Sequence, residues 1–346
     1  MSIDGHAGSA GRSQLDRTVA AMTAATPAVT PAPSYNPAQQ AVLDQLGAGA
    51  GERPTFEAGL RDELRDELDA HLAVVEPLLD ELDASVERPL TLSKHTLAQV
   101  HGCEAHLLAE EAAGFPGWTV PRARGTVSHK AIELSLNLPG DTAPAELVDH
   151  ALARLTEGDR SLSEWLQGID RAERGELRAE CTDRVTKFVE CWPPLKPRWR
   201  PVTESSLRAE LLAGRVELRG KVDLTVGRAE GNTAGKVLVD LKTGRFAPHH
   251  LDDLRFYALL EVLRLGVPPR LLATYYLDKG EFLPEAVTAP LLRATVARVG
   301  DGIVKLVELR AARREPAVRP GPTCRWCPLL DSCDAGRGHL DAMDDW

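Results

Sequence analysis

Leucines recur at helical spacing in the acidic segment that spans residues 58–83. Steps of three, four and seven residues place apolar side chains on one face of a helix, so this segment predicts an amphipathic helix. Pro77 lies inside the run and predicts a kink or a break, because proline lacks a backbone N–H. The apolar positions are Leu60, Leu64, Leu68, Leu72, Val75, Leu79 and Leu82.

Two further helical regions follow along the chain. The segment 93–112 predicts a helix, with Ser93 as its N-terminal cap. Residues 145–192 also have a helical pattern. The proline-rich segment 193–201 ends that region, because proline interrupts the hydrogen bonding of a helix.

Apolar and polar residues alternate in the segment RVELRGKVDLTV, which is typical of a half-buried strand. A second alternating segment, KVLVDLK, places Asp240 and Lys242 together on its polar face. A glycine-rich turn joins the two. If the strands pair about a centre between Gly231 and Asn232, Asp223 lies opposite Asp240. Two carboxylates and a lysine would then converge on one face of a hairpin.

The segments after the hairpin predict a strand–helix–strand crossover. Apolar residues at helical spacing run from Leu251 to Leu265, and Gly266 marks the end of that helix. The segment 271–278 is typical of a strand, and a final amphipathic helix spans roughly 290–314. A crossover of this length joins parallel strands, so we predict a mixed α/β fold whose sheet is at least partly parallel.

The composition supports a folded protein with one long tail. Apolar residues make up 43% and charged residues 27% of the 346 residues, which is enough for a packed core. We predict a flexible low-complexity tail over 1–55, an amphipathic helical segment over 56–92, and a folded domain over 93–340 with a helical insert about 140–200. No apolar stretch is long enough to span a membrane, and we predict a cytoplasmic protein without membrane contact.

The net charge of −10 is unevenly distributed. Residues 41–90 contain 13 acidic residues against 4 arginines, whereas residues 184–246 contain 13 basic residues against 7 acidic ones. A basic middle segment is compatible with a phosphate backbone as partner. One cluster there combines cations with an aromatic ring, as single-strand-binding proteins do, although a solvated linker has the same composition. Its members are Lys196, Arg198, Trp199 and Arg200.

The hairpin carries the first candidate chemistry. Two carboxylates that lie close together, here Asp223 and Asp240, repel each other unless a cation lies between them, and Mg²⁺ or Mn²⁺ takes oxygen ligands of this kind. Lys242 on the same face could orient or help to deprotonate a water that attacks phosphorus. The alternative is an exposed hairpin with ordinary ion pairs.

Cysteines supply the second candidate site. The segment CRWCPLLDSC has the spacing C-x2-C-x5-C, formed by Cys324, Cys327 and Cys333. Thiolates this close in sequence suit a metal or an iron–sulfur cluster, which needs a fourth ligand. Cys103 is the candidate, because its predicted helix could dock beside the C-terminal segment. The spacing leaves both [4Fe–4S] and Zn²⁺ open.

Together, the two sites resemble the RecB-like branch of the PD-(D/E)XK nuclease superfamily. In particular they resemble its iron–sulfur members, the AddB-type and CRISPR-associated exonucleases, in which one cysteine precedes the nuclease motifs and three follow them. The fourth family motif, Q-x-x-x-Y, is half matched, because Tyr257 is present and Asp253 replaces the glutamine. The other matches are G-x-x-x-H from Gly125 to His129, G-x-(I/V)-D from Gly220 to Asp223, and (D/E)-x-K from Asp240 to Lys242.

The resemblance implies a role for each matched residue. The cysteines Cys103, Cys324, Cys327 and Cys333 would bind the cluster. The metal ligands would be His129, Asp223, Asp240 and the carbonyl of Leu241. Lys242 would position the water, and Tyr257 would contact the DNA backbone. Flanking arginines and lysine are candidate phosphate contacts, namely Arg219, Lys221, Arg245 and Arg255.

We therefore predict a restriction-endonuclease-like mixed β-sheet core flanked by helices, with its terminal segments joined by a cysteine-ligated cluster. The predicted activity is that of a DNA exonuclease dependent on Mg²⁺ or Mn²⁺, acting in DNA repair, recombination or foreign-DNA processing on single strands or free ends. A separate helicase or defence-system subunit is the predicted partner. The main alternative is an inactive DNA-binding scaffold of the same fold, and a ferredoxin-like redox carrier would leave the hairpin unexplained.

Overall fold

The computed structural model describes residues 35–138, 142–158 and 160–344. Residues 1–34 of the predicted tail lie outside the described residues. The strands are β1 (Leu90–Ser93), β2 (Val202–Leu211), β3 (Val216–Val226), β4 (Val237–Lys242), β5 (Leu271–Tyr276) and β6 (Glu281–Ala286). The helices are α1 (Pro37–Leu46), α2 (Leu60–Leu72), α3 (Leu78–Glu81), α4 (Lys94–His101), α5 (Glu104–Ala113), α6 (Val120–Ser135), α7 (Pro144–Thr156), α8 (Arg160–Gly168), α9 (Arg171–Cys191), α10 (His249–Leu265), α11 (Ala289–Arg310) and α12 (Asp334–Asp344).

All six strands form one mixed sheet, in which β3 is the longest strand. β2 pairs antiparallel with β3 along one edge. The other edge of β3 is shared, because β1 pairs in parallel with residues 216–219 and β4 pairs antiparallel with residues 224–226. β5 then lies parallel to β4, and β6 antiparallel to β5. The shared edge leaves residues 220–223 of β3 at a gap between two neighbouring strands.

Helices cover both faces of the sheet, each over its own apolar core. One core joins β3 to α2, α4, α10 and α11, and its fully buried leucines include Leu64 and Leu68. The other core joins β4 and β5 to α1, α6, α7 and α9. Because both faces of the sheet are covered, β4 is buried from Val237 to Leu241, including Leu238 on the face that carries Asp240. Among the described residues, no helix combines the length and apolar character needed to cross a bilayer.

Several predictions from the sequence are confirmed. Leu224 pairs with Val239, so the hairpin is centred between residues 231 and 232 as predicted. β4, α10 and β5 form the predicted parallel crossover. Ser93 caps α4 by accepting the N–H of Thr96 at 3.2 Å. The predicted mixed α/β fold with helices on both sides of the sheet is therefore correct.

Other predictions need correction. Within the predicted tail, residues 37–46 form α1, because Asn36 and Gln39 make a reciprocal capping box and Val42 and Leu46 are buried against the sheet layer. The helix predicted over 93–112 is two helices, because the chain turns at Gly102 and Cys103. Three strands, β1, β2 and β6, have no counterpart among the predicted elements.

Candidate active site

Asp223 lies at the gap in the sheet where β3 leaves β1 and joins β4. Its Oδ2 accepts the backbone N–H of Leu241 at 2.7 Å, so the carboxylate continues the ladder that ends at the last backbone pair. Its Oδ1 lies 3.3 Å from Nδ1 of His129. The contact seen for Leu241 is thus made by its N–H, and its carbonyl as a metal ligand stays a prediction.

His129 reaches this site because α6 packs on the sheet. Val127, Ala131 and Ile132 bury the inner face of the helix. Burial by itself would lower the pKa of His129, but the adjacent negative charge of Asp223 and the hydrogen bond to it raise the pKa above its ordinary value. The imidazole is therefore held by an acidic neighbour at one end of the gap.

Glu204 on β2 is a member of this site that the sequence analysis missed. Thr203 pairs with Leu224 and Ser205 with Val222, so Glu204 falls across from Asp223. Donor atoms of His129, Glu204 and Asp223 all lie within 4.8 Å of one another. Glu204 has a φ of 53°, a left-handed conformation that is uncommon outside glycine and is often found at functional sites.

Asp240 occupies the neighbouring part of the site and is almost completely buried, with 1% exposure. Lys94 Nζ donates to its Oδ1 at 2.8 Å, and Lys242 Nζ lies 2.8 Å from its Oδ2. Burial opposes the charged form, but these two ammonium groups lower the pKa of Asp240 below its ordinary value. The carboxylate is therefore ionised and already neutralised by two cations.

Asp253 completes a network of four charges. Its Oδ2 accepts from Lys242 Nζ at 2.8 Å and lies 3.4 Å from Lys94 Nζ. Thus the residue that replaces the family glutamine holds both lysines. Lys94, the first residue of α4, was also missed, because a lysine that follows a helix cap in sequence is usually exposed.

The ring of Tyr257 packs against Lys94 of this network. Its side chain is buried, and Lys94 Nζ lies 4.9 Å from the centre of its ring. Burial raises the pKa of Tyr257 to about 12, so its hydroxyl stays protonated at neutral pH. Such a buried ring packs against Lys94 and offers little surface for the DNA contact predicted from the sequence.

The four candidate cluster ligands lie together in the folded chain, in a second site that contains none of the charged residues described above. Cys103, Cys324, Cys327 and Cys333 line one small cavity between the start of α5 and the start of α12. Three backbone N–H groups donate to their sulfurs: Arg319 to Cys103 at 3.5 Å, Gly321 to Cys324 at 3.4 Å and Gly336 to Cys333 at 3.3 Å. Tertiary folding thus brings Cys103 to the three cysteines that follow the nuclease motifs.

Comparison with known proteins identifies the family. The model of the PD-(D/E)XK nuclease superfamily matches residues 91–334, which is more than half of the chain. The chain belongs to the PD-(D/E)XK nuclease superfamily. No curated protein matches it.

Two solved structures similar to this PD-(D/E)XK chain are distant in sequence. The protein SSO0001 is 14% identical over 76% of this chain and 95% of its own, with a TM-score of 0.34. A candidate exonuclease from Eubacterium rectale is 13% identical over 72% of this chain and 87% of its own, with a TM-score of 0.43.

Membership of the PD-(D/E)XK superfamily indicates a nuclease, and these enzymes use divalent metal ions. The chain offers a suitable donor set in His129, Glu204 and Asp223. Two carboxylates beside an imidazole suit Mg²⁺ or Mn²⁺, which take oxygen ligands first.

Three of the four predicted phosphate contacts form ion pairs with acidic residues of this PD-(D/E)XK domain. Arg219 forms a two-pronged ion pair with Glu217, and Arg255 forms one with Glu285. Lys221 is paired with Glu204. Arg245 is exposed and has no ion pair within the described part of the chain.

Proposed function

We propose that this protein is a DNA nuclease dependent on Mg²⁺ or Mn²⁺, of exonuclease type, and a member of the RecB-like iron–sulfur branch. One observation carries the activity: donor atoms of His129, Glu204 and Asp223 lie within 4.8 Å of one another, beside the buried Asp240 and Lys242. DNA with single strands or free ends is the proposed substrate. A separate helicase or defence-system subunit is the proposed partner.

His129, Glu204 and Asp223 are proposed to hold the metal ion. Two carboxylates this close repel each other, so a bound cation stabilises the arrangement. Lys221 now neutralises part of the charge on Glu204. Asp240, the ligand predicted from the sequence, is instead neutralised by Lys94 and Lys242, so Glu204 takes the place of a second carboxylate in the proposed set.

The reaction proposed is hydrolysis of a phosphodiester bond. A bound divalent ion supplies positive charge that stabilises the developing charge on the phosphate oxygens. Lys242 is held between Asp240 and Asp253, so its ammonium group donates hydrogen bonds. We assign it to orienting the attacking water and to contacting the phosphate. Lys94 keeps Asp240 ionised, which fixes the position of Lys242.

The test is a DNA cleavage assay on protein purified without oxygen. Labelled single- and double-stranded DNA is incubated with Mg²⁺ or Mn²⁺, and the wild type is compared with Lys242→Ala and with the surface control Lys279→Ala. We expect cleavage by the wild type and the control, and a loss of about 100-fold or more in Lys242→Ala, as for other proton-transfer and positioning groups. The ladder of products separates end-wise from internal cleavage.

The inactive scaffold remains a second candidate, favoured by one specific observation. Both oxygens of Asp240 face lysine ammonium groups, and Asp253 replaces the family glutamine. If the wild type binds DNA without cleaving it under every metal condition, the scaffold is correct and the proposed nuclease is wrong. Asp253→Gln then tests whether restoring the glutamine restores cleavage.

We further propose that the four cysteines bind a [4Fe–4S] cluster. N–H groups aimed at three of the sulfurs are typical of thiolate ligands. Four thiolates are the usual ligand set of a [4Fe–4S] cluster, and a Zn²⁺ ion held by the same four thiolates is the alternative occupant. Ligation of Cys103 and Cys324 would join the two ends of the domain.

A further inference from the structure

A cavity of about 260 Å³ opens where β3 and β4 meet their connecting turn. Its wall includes Val226 at the end of β3 and Val237 at the start of β4, together with Trp192 and Trp199. The volume is close to the lower limit of about 300 Å³ for small-molecule sites. None of the residues assigned to the proposed reaction lines this cavity, so it is separate from the candidate active site.

Three arginines line the same cavity without a partner of opposite charge. Within the described residues, Arg53, Arg198 and Arg270 form no ion pair, although the chain has ten more acidic than basic residues. Most other arginines here are paired, as Arg178 is with Asp149 and Arg184 with Asp278. Three cations around one opening thus have no acidic partner in the described part of the chain, and Arg270 donates only to the backbone carbonyl of Leu46.

Two of these arginines also have unsatisfied hydrogen-bond donors. The Nε atoms of Arg53 and Arg270 are buried and have no hydrogen-bond acceptor among the residues that the structure describes. A buried N–H without an acceptor is unfavourable, so such donors are normally matched by a ligand, by water or by protein. Burial, together with the positive charge of Arg53, lowers the pKa of Arg270 below its ordinary value. An anion bound by the two guanidinium groups would accept hydrogen bonds from both Nε atoms and would offset the repulsion between the two positive charges.

The remainder of the wall is apolar and aromatic. Val42 and Leu46 from α1 and Leu195 form an aliphatic surface, and Trp199 offers a partly exposed ring. Lys196 Nζ lies 5.5 Å from the centre of that ring. Of the cluster of cations and an aromatic ring noted in the sequence, Arg198 and Trp199 line this cavity. A ligand that fits has a flat apolar body and an anionic group.

We propose that this cavity binds a nucleoside phosphate, with the base against Trp199 and the aliphatic wall and the phosphate on Arg53 and Arg270. The choice of a nucleotide rests on the proposed nuclease function, whereas binding itself requires no catalysis. Val226 lies three residues from Asp223, about 10 Å along a strand. The ligand is either a free mononucleotide or the terminal nucleotide of a DNA strand.

The test is calorimetric binding to the full chain in the absence of divalent metal, so that no DNA is cleaved. The probes are dAMP, deoxyadenosine, inorganic phosphate, and a short single strand with or without a 5′ or a 3′ phosphate. The variant is Arg53→Gln/Arg270→Gln, which removes both proposed phosphate contacts. The control is Arg228→Gln in the turn between β3 and β4, because Arg228 is exposed and paired with Glu230. Trp199→Ala is a second variant, and thermal unfolding verifies that each protein is folded.

We expect dAMP to bind the wild type and the control, and its Kd to rise by about tenfold or more in both cavity variants, which corresponds to about 1.4 kcal/mol. Deoxyadenosine and phosphate alone should bind more weakly than dAMP. If the Kd of a phosphorylated strand rises in the cavity variants as the Kd of dAMP does, the ligand is the terminal nucleotide of a strand. If the Kd of the strand does not change, the ligand is the free mononucleotide. Absence of dAMP binding, or equal binding of phosphate and dAMP, would overturn the inference.

These outcomes are independent of the outcome for the proposed function. DNA cleavage with no dAMP binding refutes only the proposed nucleotide binding by the cavity. Binding of dAMP with no cleavage refutes the nuclease activity alone.

Discussion

A methyl group placed on Gly220 would lie 2.6 Å from Cε1 of Tyr257, well inside van der Waals contact. The tyrosine ring on α10 therefore packs directly on the backbone of β3. The same ring lies beneath Lys94, which donates to Asp240. The glycine of one motif thus makes room for the tyrosine of another, and the pair supports the charged network of the site.

Replacing Gly220 by alanine should therefore destabilise the protein. We expect Gly220→Ala to lower the free energy of unfolding by about 1–3 kcal/mol, as overpacked core substitutions do. Urea unfolding measures the change. The matched control is Gly175→Ala on α9, where a methyl group would meet no atom within 4 Å. If Gly220→Ala is as stable as the wild type, the close packing of Tyr257 is wrong.

Asp253 should be coupled energetically to Lys94. Asp253→Asn leaves two ammonium groups to share Asp240, so we expect the free energy of unfolding to fall by about 3 kcal/mol or more, as when one partner of a buried pair is removed. Lys94→Met should lower the free energy of unfolding by itself. It should lower it less when Asp253→Asn is already present, because the interaction between the two residues has then already been lost. Strictly additive changes in urea unfolding would show that the two residues do not interact.

Glu204 should contribute to metal affinity. We expect Glu204→Gln to raise the Kd for Mn²⁺ by about tenfold or more, since a carboxylate is a far better ligand than an amide for this ion. Titration calorimetry with Mn²⁺ and no DNA measures this directly. Glu210→Gln on the same strand is the control, because Glu210 is paired with Arg208 away from the site. Equal Mn²⁺ affinity in the two variants would remove Glu204 from the ligand set.

The cysteine cluster predicts a specific loss of iron. Protein purified without oxygen should contain about four iron atoms per chain and no zinc, and Cys324→Ser should lose the iron and unfold at a lower temperature, since cluster binding and folding are coupled. Cys191→Ser should keep the iron, because Cys191 lies at the end of α9 and outside the cluster cavity. Elemental analysis and thermal unfolding provide the two readouts. A stable, active protein with zinc and no iron would contradict the proposed cluster.

His250 should make stability depend on pH. Burial, together with the positive charge of Lys242, lowers the pKa of His250 from 6.5 to about 4. The unfolded chain therefore takes up a proton near pH 6.5 while the folded protein does not. The stability contribution is complete above the unfolded pKa and is lost as the pH falls from 6.5 towards 4.

The corresponding experiment compares the wild type with His250→Asn, whose side-chain oxygen can replace Nδ1 as an acceptor for Tyr276. Between about pH 7 and about pH 5, urea unfolding should show a larger loss of stability in the wild type than in the variant. Parallel losses would show that His250 titrates equally in the folded and unfolded states.

The sequence by itself determined the elements whose apolar period is clear and whose partners are close along the chain. The hairpin of β3 and β4, the crossover through α10 and the order of the motifs all follow from local spacing, because a turn of fixed centre sets its own register. Cys324, Cys327 and Cys333 are also close along the chain, so their spacing alone predicted a metal or iron–sulfur site. The sequence also placed Asp223, Asp240 and Lys242 together.

Only the tertiary structure decided which groups surround these residues. Glu204 lies on β2, where the strand pattern is clear only in its second half, and it reaches the site by pairing across β3. Lys94 is 146 residues from Asp240 in sequence, and nothing in the local pattern indicates their contact. Long-range pairing depends on how helices and strands pack, so the partners that neutralise Asp240 and complete the proposed metal site could be found only in the folded chain.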